Sequence, residues 1–171
     1  MVRITSNADG KVRIGLLEIE KGRQAEREGA RLLLTAMLGY EPSIVHNKDG
    51  KPMIANYHIS ISHTIGYVAV ILSRDYEVGI DIEYVSDRVR RIASRFLRHD
   101  EMFTDTKQCL TAWCAKETMY KLFSSEHLGF QDMKVDTVSR LVKNLKQNLV
   151  IKFECEETTE YILTYAWRKN A

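Results

Sequence analysis

The segment EVGIDIEY, from Glu77 to Tyr84, alternates strictly between apolar residues and residues that are polar or small. This period of two predicts a half-buried β-strand with its apolar side chains on one face. Asp81 and Glu83 lie on the opposite face, about 7 Å apart along the strand, where their carboxylates can converge on one hard cation. A solvated strand face would carry the same two acids, so the pair alone leaves both interpretations open.

A second segment, WCAKETMYK from Trp113 to Lys121, has helical spacing. Trp113, Glu117 and Lys121 stand four residues apart and therefore form one stripe, with Lys116 beside it. Three carboxylates near two lysines suit a substrate with a phosphate chain, because the acids hold Mg²⁺ and the lysines neutralise the remaining charge. The alternative is an ordinary surface helix with Glu–Lys pairs, and spacing does not choose between them.

The remaining pattern predicts strands and helices in two successive groups, which is typical of an α+β protein. The predicted order is strand 12–20, helix 24–38, turn 47–52, strands 57–62 and 67–73, strand 77–84, helices 88–98 and 104–123, and two or three strands within 134–168. Gly39 predicts the end of the first helix. The stretch 18–20 (EIE) resembles 81–83 (DIE), which would fit a duplicated α+β unit, although chance similarity explains it as well.

The composition of the chain indicates which general classes of protein it does not resemble. The 171 residues carry 25 basic and 23 acidic side chains, a net charge of +2, which does not indicate a dedicated nucleic-acid binder. The longest apolar run, 67–72, is far shorter than the ~20 residues that span a bilayer, and the N-terminus lacks the apolar core of a signal peptide, so we expect a cytoplasmic protein. Cys109, Cys114 and Cys155 are expected to be reduced structural thiols.

Together, GIDIE (79–83) and WxxKExxxK (113–121) resemble the signature of the 4′-phosphopantetheinyl transferase superfamily. Further similar motifs occur in the same order: GKP at 50–52, SISH at 60–63 and RFL at 95–97 followed by Glu101. The segment 23–33 is similar to the first helix of the surfactin-synthetase-activating type. In that type the fold consists of two similar α+β subdomains packed as a pseudo-dimer. The resemblance therefore implies an N-terminal subdomain at 1–75 and a C-terminal one at 76–171 that carries the metal site, in a compact monomer with the active site between the halves.

The resemblance also implies an activity: Mg²⁺-dependent transfer of 4′-phosphopantetheine from coenzyme A to a serine of an apo acyl or peptidyl carrier protein, releasing 3′,5′-ADP. The implied metal ligands are Asp81, Glu83 and Glu117. The implied catalytic residues are Glu117, as a base directly or through a metal-bound water, and Lys121. The implied coenzyme A contacts are Lys51, His63, Lys116, Lys121, Arg27 and Arg31. Glu101 matches a family acid near the metal.

Two positions depart from the family pattern. Ser60 replaces the usual asparagine before the SHS motif, and Thr64 replaces its final serine. Both keep a hydroxyl that could bind phosphate or cap a turn. The usual glycine-rich turn after Lys121 is replaced by SSEHLGF at 124–130.

Basic residues follow the acidic strand closely. Because carrier proteins of this reaction are acidic around their serine, we predict that this helix docks them, although a solvated helix face has similar charges. The residues are Arg88, Arg90, Arg91, Arg95 and Arg98. Two other functions remain: a noncatalytic module that binds coenzyme A or a carrier, and another Mg²⁺-dependent enzyme acting on a phosphate chain. The second lacks a GxxxxGK[ST] loop.

Overall fold

The structure, a computed structural model, describes residues 1–170. This part of the chain forms twelve strands and four helices, and the α+β class predicted from the sequence is confirmed. The helices are α1 (Arg23–Leu38), α2 (Arg88–Arg91), α3 (Ala93–Phe96) and α4 (Thr106–Leu122). The strands are β1 (Val2–Asn7), β2 (Val12–Glu18), β3 (Val45–His46), β4 (Pro52–Met53), β5 (His58–Thr64), β6 (Tyr67–Ser73), β7 (Tyr76–Tyr84), β8 (Met133–Asp136), β9 (Leu141–Asn144), β10 (Leu149–Lys152), β11 (Glu154–Glu157) and β12 (Tyr161–Lys169).

Two antiparallel sheets build the centre of the protein. The first has the strand order β1-β2-β6-β5 and the second has the order β11-β12-β7. Strands β8 to β10 form a separate small sheet, and β3 and β4 form a short hairpin. The first sheet and α1 thus come from residues before Asp75, and the second begins at Tyr76. The division at residue 75 into two similar subdomains stays a prediction.

The apolar residues separate the elements into layers. Alternation along β6 sends Val68, Val70 and Leu72 into a core with α1, whereas Ala69 and Ile71 enter a second core between the two sheets. That second core also contains Val78, Ile80 and Ile82, the apolar face predicted for β7. A third core lies between α4, the second sheet and the small sheet. Burial of these side chains, at about 1.5–3 kcal/mol each, is the main term that holds the layers together.

Most predicted elements are confirmed within one or two residues, including the helix stop at Gly39, whose φ is 81° and whose N–H donates to the Thr35 carbonyl. Three predictions need correction. The helix predicted over 88–98 is two short helices, α2 and α3, interrupted at Ile92. The N-terminal stretch forms β1, which was not predicted. The region 134–168 contains five strands rather than two or three. No helix within residues 1–170 is long and apolar enough to cross a membrane.

Candidate functional site

Glycine at position 79 allows α4 to cross directly over β7. A Cβ atom built there would lie 2.4 Å from the Thr118 carbonyl oxygen and 3.0 Å from the Leu122 nitrogen. Such distances are far below van der Waals contact, so only glycine permits this approach of helix to strand. The close crossing brings the side chains of α4 onto the polar face of β7, next to Asp81.

Asp81 is buried and fully engaged. Its Oδ1 accepts hydrogen bonds from the Ser62 hydroxyl at 2.9 Å and from the Lys121 Nζ at 2.8 Å, and the Cys114 thiol lies 3.4 Å from Oδ2. Lys121 also donates to the Ile80 carbonyl at 3.0 Å. The ammonium of Lys121 is therefore the positive charge that balances Asp81 in this structure.

Glu83, two residues further along β7, accepts a hydrogen bond at 3.1 Å from the indole Nε1 of Trp113. Burial, followed by the nearby charge of Asp81, raises the pKa of Glu83 to about 7. Burial and the Asp81 charge also raise the pKa of Glu117. The three predicted metal ligands therefore share one negative electrostatic environment.

The chemistry of this donor set fits a hard divalent cation, because carboxylate oxygens are its preferred ligands and its charge would offset the cost of the buried negative groups. Within residues 1–170, however, no three His, Cys, Asp or Glu side chains are already gathered as a metal-binding group. The assignment of Asp81, Glu83 and Glu117 as metal ligands stays a prediction.

A cleft of about 240 Å³ lies between the two halves of the chain beside these acids. Residues Gly50, Lys51 and Pro52 line it from the first half, and Glu117, Tyr120 and Lys121 line it from α4. Burial lowers the pKa of Lys51. Asn47 shapes the turn that carries Lys51, because its Oδ1 accepts the backbone N–H groups of Asp49 and Lys51 at 2.9 and 3.0 Å. The cleft thus brings together three of the predicted site residues: Lys51, Glu117 and Lys121.

The other predicted coenzyme A contacts lie outside the lining of this cleft. His63 is half-exposed on β5, with Nδ1 3.3 Å from Glu26 on α1. Arg27 and Arg31 are on α1 and line a groove along that helix, and Arg31 forms an ion pair with Glu41. Their contact with coenzyme A stays a prediction.

The prediction that Lys116 contacts a phosphate is wrong. Its side chain is 0% exposed, and Nζ donates to Glu101 Oε1 at 2.5 Å and to the carbonyls of Phe96 and Phe130 at 2.7 and 3.1 Å. Three acceptors use all three protons of the ammonium group. The packing of α4 places Lys116 on the side of the helix that faces the core.

Both carboxylate oxygens of Glu101 also have structural partners, and none of these is an acid of β7 or a residue of the cleft. This contradicts the prediction that Glu101 lies near the metal. Besides Lys116, its Oε1 accepts the Arg98 N–H at 2.8 Å, and its Oε2 accepts the Val135 N–H at 2.9 Å. The buried pair therefore joins α4, the loop after α3 and β8, and it has a structural role.

The hydroxyls of Ser60 and Thr64 also have structural partners. They accept backbone N–H groups of β7, from Ile80 at 3.2 Å and from Tyr84 at 3.0 Å. These contacts give both hydroxyls a role in joining β5 to β7. The sequence did not predict that the Ser62 hydroxyl and the Cys114 thiol contact Asp81. For Ser62, the only indication in the sequence was the alternation of hydroxyl residues at 60, 62 and 64.

The arginine-rich segment lies next to Glu83 on the surface. Arg88 and Arg95 line a groove of about 310 Å³ whose wall includes Glu83 and Trp113, and Arg90 and Arg91 line a neighbouring cavity of about 510 Å³. All four are exposed, and none forms an ion pair within residues 1–170, whereas Arg98 pairs with Asp100. Four exposed arginines without an ion pair in the described residues thus follow β7, and two of them, Arg88 and Arg95, share a groove with Glu83.

Comparison with known proteins adds the identity that these motifs suggested. Curated proteins gave no matching relative. A family model described as the 4′-phosphopantetheinyl transferase superfamily matches residues 77–166, which include α4, most of β7 and β12 and every acid of the candidate metal site. Because that match covers more than half of the chain, the protein belongs to the 4′-phosphopantetheinyl transferase superfamily.

Proposed function

We propose that the protein transfers 4′-phosphopantetheine from coenzyme A to a serine of an apo acyl or peptidyl carrier protein, in a Mg²⁺-dependent reaction that releases 3′,5′-ADP. The observation that carries this proposal is the cleft in which Lys121, Glu117 and Lys51 face one another beside Asp81. Positive groups for a phosphate chain and a carboxylate for a hydroxyl proton are the requirements of this reaction.

In the proposed step, the serine Oγ attacks the phosphorus that carries the pantetheine arm. A new Oγ–P bond forms, and the bond from this phosphorus to the bridging oxygen of the pyrophosphate breaks, so that this oxygen leaves as part of 3′,5′-ADP. Glu117 accepts the serine proton; its raised pKa suits a base near neutral pH better than an ordinary carboxylate. A divalent cation held by Asp81, Glu83 and Glu117 would supply positive charge to the pyrophosphate oxygens.

Lys121 has a distinct role in this proposal. Two of its three N–H groups are used by Ile80 and Asp81, which fix the ammonium at the wall of the cleft. The third has no acceptor within residues 1–170 and can donate to a phosphate oxygen, which would stabilise the charge that develops on the leaving group. Lys51, on the opposite wall, would bind the nucleotide part of coenzyme A. The 3′-phosphate of that nucleotide would be bound by Arg27, Arg31 and His63.

We further propose the surfactin-synthetase-activating type, acting as a monomer. One chain supplies both walls of the cleft, Lys51 from residues before 75 and Glu117 from residues after it, which supports subdomains at 1–75 and 76–171. The exposed Arg88, Arg90, Arg91 and Arg95 would attract the acidic surface of a carrier and bring its serine toward the cleft.

The test is direct. The purified protein is incubated with coenzyme A, Mg²⁺ and several apo carrier proteins, and the intact carrier mass is measured. We expect the mass of one phosphopantetheine arm to be added, and Glu117→Gln to abolish the addition while its circular dichroism stays that of the wild type. Tight coenzyme A binding without modification of any carrier would instead support a noncatalytic module. Modification at an unchanged rate by Glu117→Gln would refute the assigned base.

A further inference from the structure

Strands β5 and β7 meet through side-chain hydroxyls instead of a backbone ladder. One edge of β7 pairs with β12, so alternate N–H groups on its other edge have no strand partner. Ser60, Ser62 and Thr64 of β5 accept these groups from Ile80, Ile82 and Tyr84 at 3.2, 3.2 and 3.0 Å. All three hydroxyl side chains are buried, so the contacts exclude water and join the first sheet to the second.

Ser62 makes a second hydrogen bond in addition to this contact. Its oxygen accepts the Ile82 N–H, and its hydrogen is donated to Asp81 Oδ1 at 2.9 Å. Because the backbone of β7 fixes the oxygen, the hydroxyl can only point its hydrogen toward the carboxylate. Thr64 accepts its backbone N–H in the same way but has no hydrogen bond to a carboxylate in the part of the chain that the structure describes.

We propose that Ser62 is a positioning residue for Asp81. It holds the carboxylate in one rotamer, with Oδ1 shared between the Ser62 hydroxyl and the Lys121 ammonium and Oδ2 next to the Cys114 thiol. Since Asp81 is assigned to the cation only in the proposed function, the effect of Ser62 on catalysis depends on that proposal. Its effect on the Asp81 rotamer does not.

The physical basis is that a buried carboxylate with fixed donors pays no further ordering cost when it binds a cation. Hydrogen-bond partners of metal ligands typically contribute 10- to 100-fold to metal affinity. Loss of the Ser62 hydroxyl therefore weakens cation binding without removing any ligand. Loss of the Thr64 hydroxyl removes an equivalent contact to the backbone of β7 but leaves Asp81 untouched, which makes Thr64 the matched control.

The experiment compares Ser62→Ala with Thr64→Val and with Ser62→Thr, which keeps a hydroxyl. In the free protein, the three-bond Hα–Hβ couplings of Asp81 are measured by NMR at neutral pH. We expect a single rotamer in the wild type, in Thr64→Val and in Ser62→Thr, and averaged couplings in Ser62→Ala. A single unchanged rotamer in Ser62→Ala, or equal averaging in Thr64→Val, would overturn the proposal.

The second measurement is the Mg²⁺ concentration that gives half-maximal carrier modification. For Ser62→Ala we expect it to rise about 10-fold or more, with partial or full recovery in Ser62→Thr and no change in Thr64→Val. Equal shifts in Ser62→Ala and Thr64→Val would overturn a specific role for Ser62. If the wild type modifies no carrier, the proposed function fails, and the couplings of Asp81 alone decide whether Ser62 positions it.

Discussion

The indole nitrogen of Trp113 lies 3.1 Å from Oε1 of Glu83 and donates a hydrogen bond to it. The donor is well fixed, because the Trp113 ring packs against Phe96 and Phe130 with centroid distances of 5.1 and 5.3 Å. The aromatic residue of the WxxKExxxK motif therefore has two roles. It packs α4 against the core, and it holds one acid of the candidate site.

The raised pKa of Glu83 predicts a pH-dependent stability of the cation-free protein. The folded pKa of about 7 exceeds the ordinary value of 4.5, so the folded state binds more protons than the unfolded state between these values. The contribution of Glu83 to stability is thus most favourable below pH 4.5 and falls as the pH rises to 7. In EDTA, we expect Glu83→Gln to gain stability relative to wild type over this range, by up to about 3 kcal/mol.

Urea unfolding of both proteins at pH 5, 6, 7 and 8 measures this difference. Comparison of the two proteins at each pH cancels the titrating groups that do not interact with Glu83. A constant difference from pH 5 to 8 would show that the Glu83 carboxyl titrates normally in the folded protein.

Substitution of Gly79 by alanine is predicted to disturb the packing of α4 on β7, and Gly15→Ala is the control. Gly79→Ala places a Cβ against the backbone of α4, which cannot yield without moving the helix, so we expect a loss of about 1–3 kcal/mol in stability. At Gly15, a Cβ would instead meet the Met37 Sδ at 2.6 Å and the Leu33 Cδ1 at 2.8 Å, both at the ends of flexible side chains. Gly15→Ala should therefore cost less. Equal losses in thermal unfolding would contradict the role assigned to the close crossing at Gly79.

Sequence patterns predicted the elements whose faces are chemically distinct. The alternation of 77–84 located β7 and separated Asp81 and Glu83 from the apolar face of that strand. The stripe of Trp113, Glu117 and Lys121 located the face of α4 that meets Glu83, Asp81 and the cleft. Short β8 to β11, of four residues each, have too few positions for alternation to be visible, and β1 is exposed along most of its length.

The failure at Lys116 has a different origin. Its position one residue before Glu117 is compatible with either side of the helix, and only the tertiary contacts place it in the core. The same holds for Ser62, since no local pattern indicates that its hydroxyl faces a carboxylate 19 residues later in the chain. Spacing predicted that Glu117 and Lys121 share one face of α4, and the family resemblance added Lys51, whereas the partners of each group depend on how β5, β7 and α4 pack.

Breaking the buried Lys116–Glu101 pair is predicted to lower the stability of the protein strongly and to change the KM for coenzyme A little. Lys116→Met leaves the buried Glu101 carboxylate without its ammonium partner, so we expect a loss of about 3–5 kcal/mol. Adding Glu101→Gln should recover part of that loss, because the unpaired charge is gone. Urea unfolding of the two single variants and the double variant gives the coupling energy. If Lys116→Met were as stable as the wild type but had a raised KM for coenzyme A, the prediction that Lys116 contacts a phosphate would be correct after all.

Substitution of Lys121 is predicted to slow catalysis, whereas substitution of another lysine of α4, Lys107, is not. Removal of its ammonium takes away both the counter-charge of Asp81 and the proposed donor to phosphate, so we expect kcat/KM for coenzyme A to fall about 10²- to 10³-fold in Lys121→Met. Lys107→Met is the control, since Lys107 is exposed at the other end of α4 and pairs with Glu157. The rates are measured by carrier mass. Equal rates for the two variants would remove Lys121 from the catalytic set.

The exposed arginines predict a carrier-specific defect. Arg90 and Arg91 are exposed, line a surface cavity and form no ion pair within residues 1–170, so their charge is available to an acidic partner. We expect Arg90→Glu/Arg91→Glu to raise the KM for the carrier, with the KM for coenzyme A unchanged, because reversed charge repels the carrier and leaves the cleft intact. The wild-type KM for the carrier should also rise with salt, and the variant should lose most of that dependence.

The matched control is Arg140→Glu/Lys143→Glu, which changes the net charge by the same amount in β9 and the turn before it, outside the grooves that the arginine-rich segment lines. If docking depends on where the charges lie, only the first pair raises the KM for the carrier. If total charge alone attracts the carrier, both pairs raise it equally, and the arginines next to Glu83 then form an ordinary solvated surface. A parallel rise in the KM for coenzyme A with the first pair would instead indicate that Arg90 and Arg91 contribute to the nucleotide site.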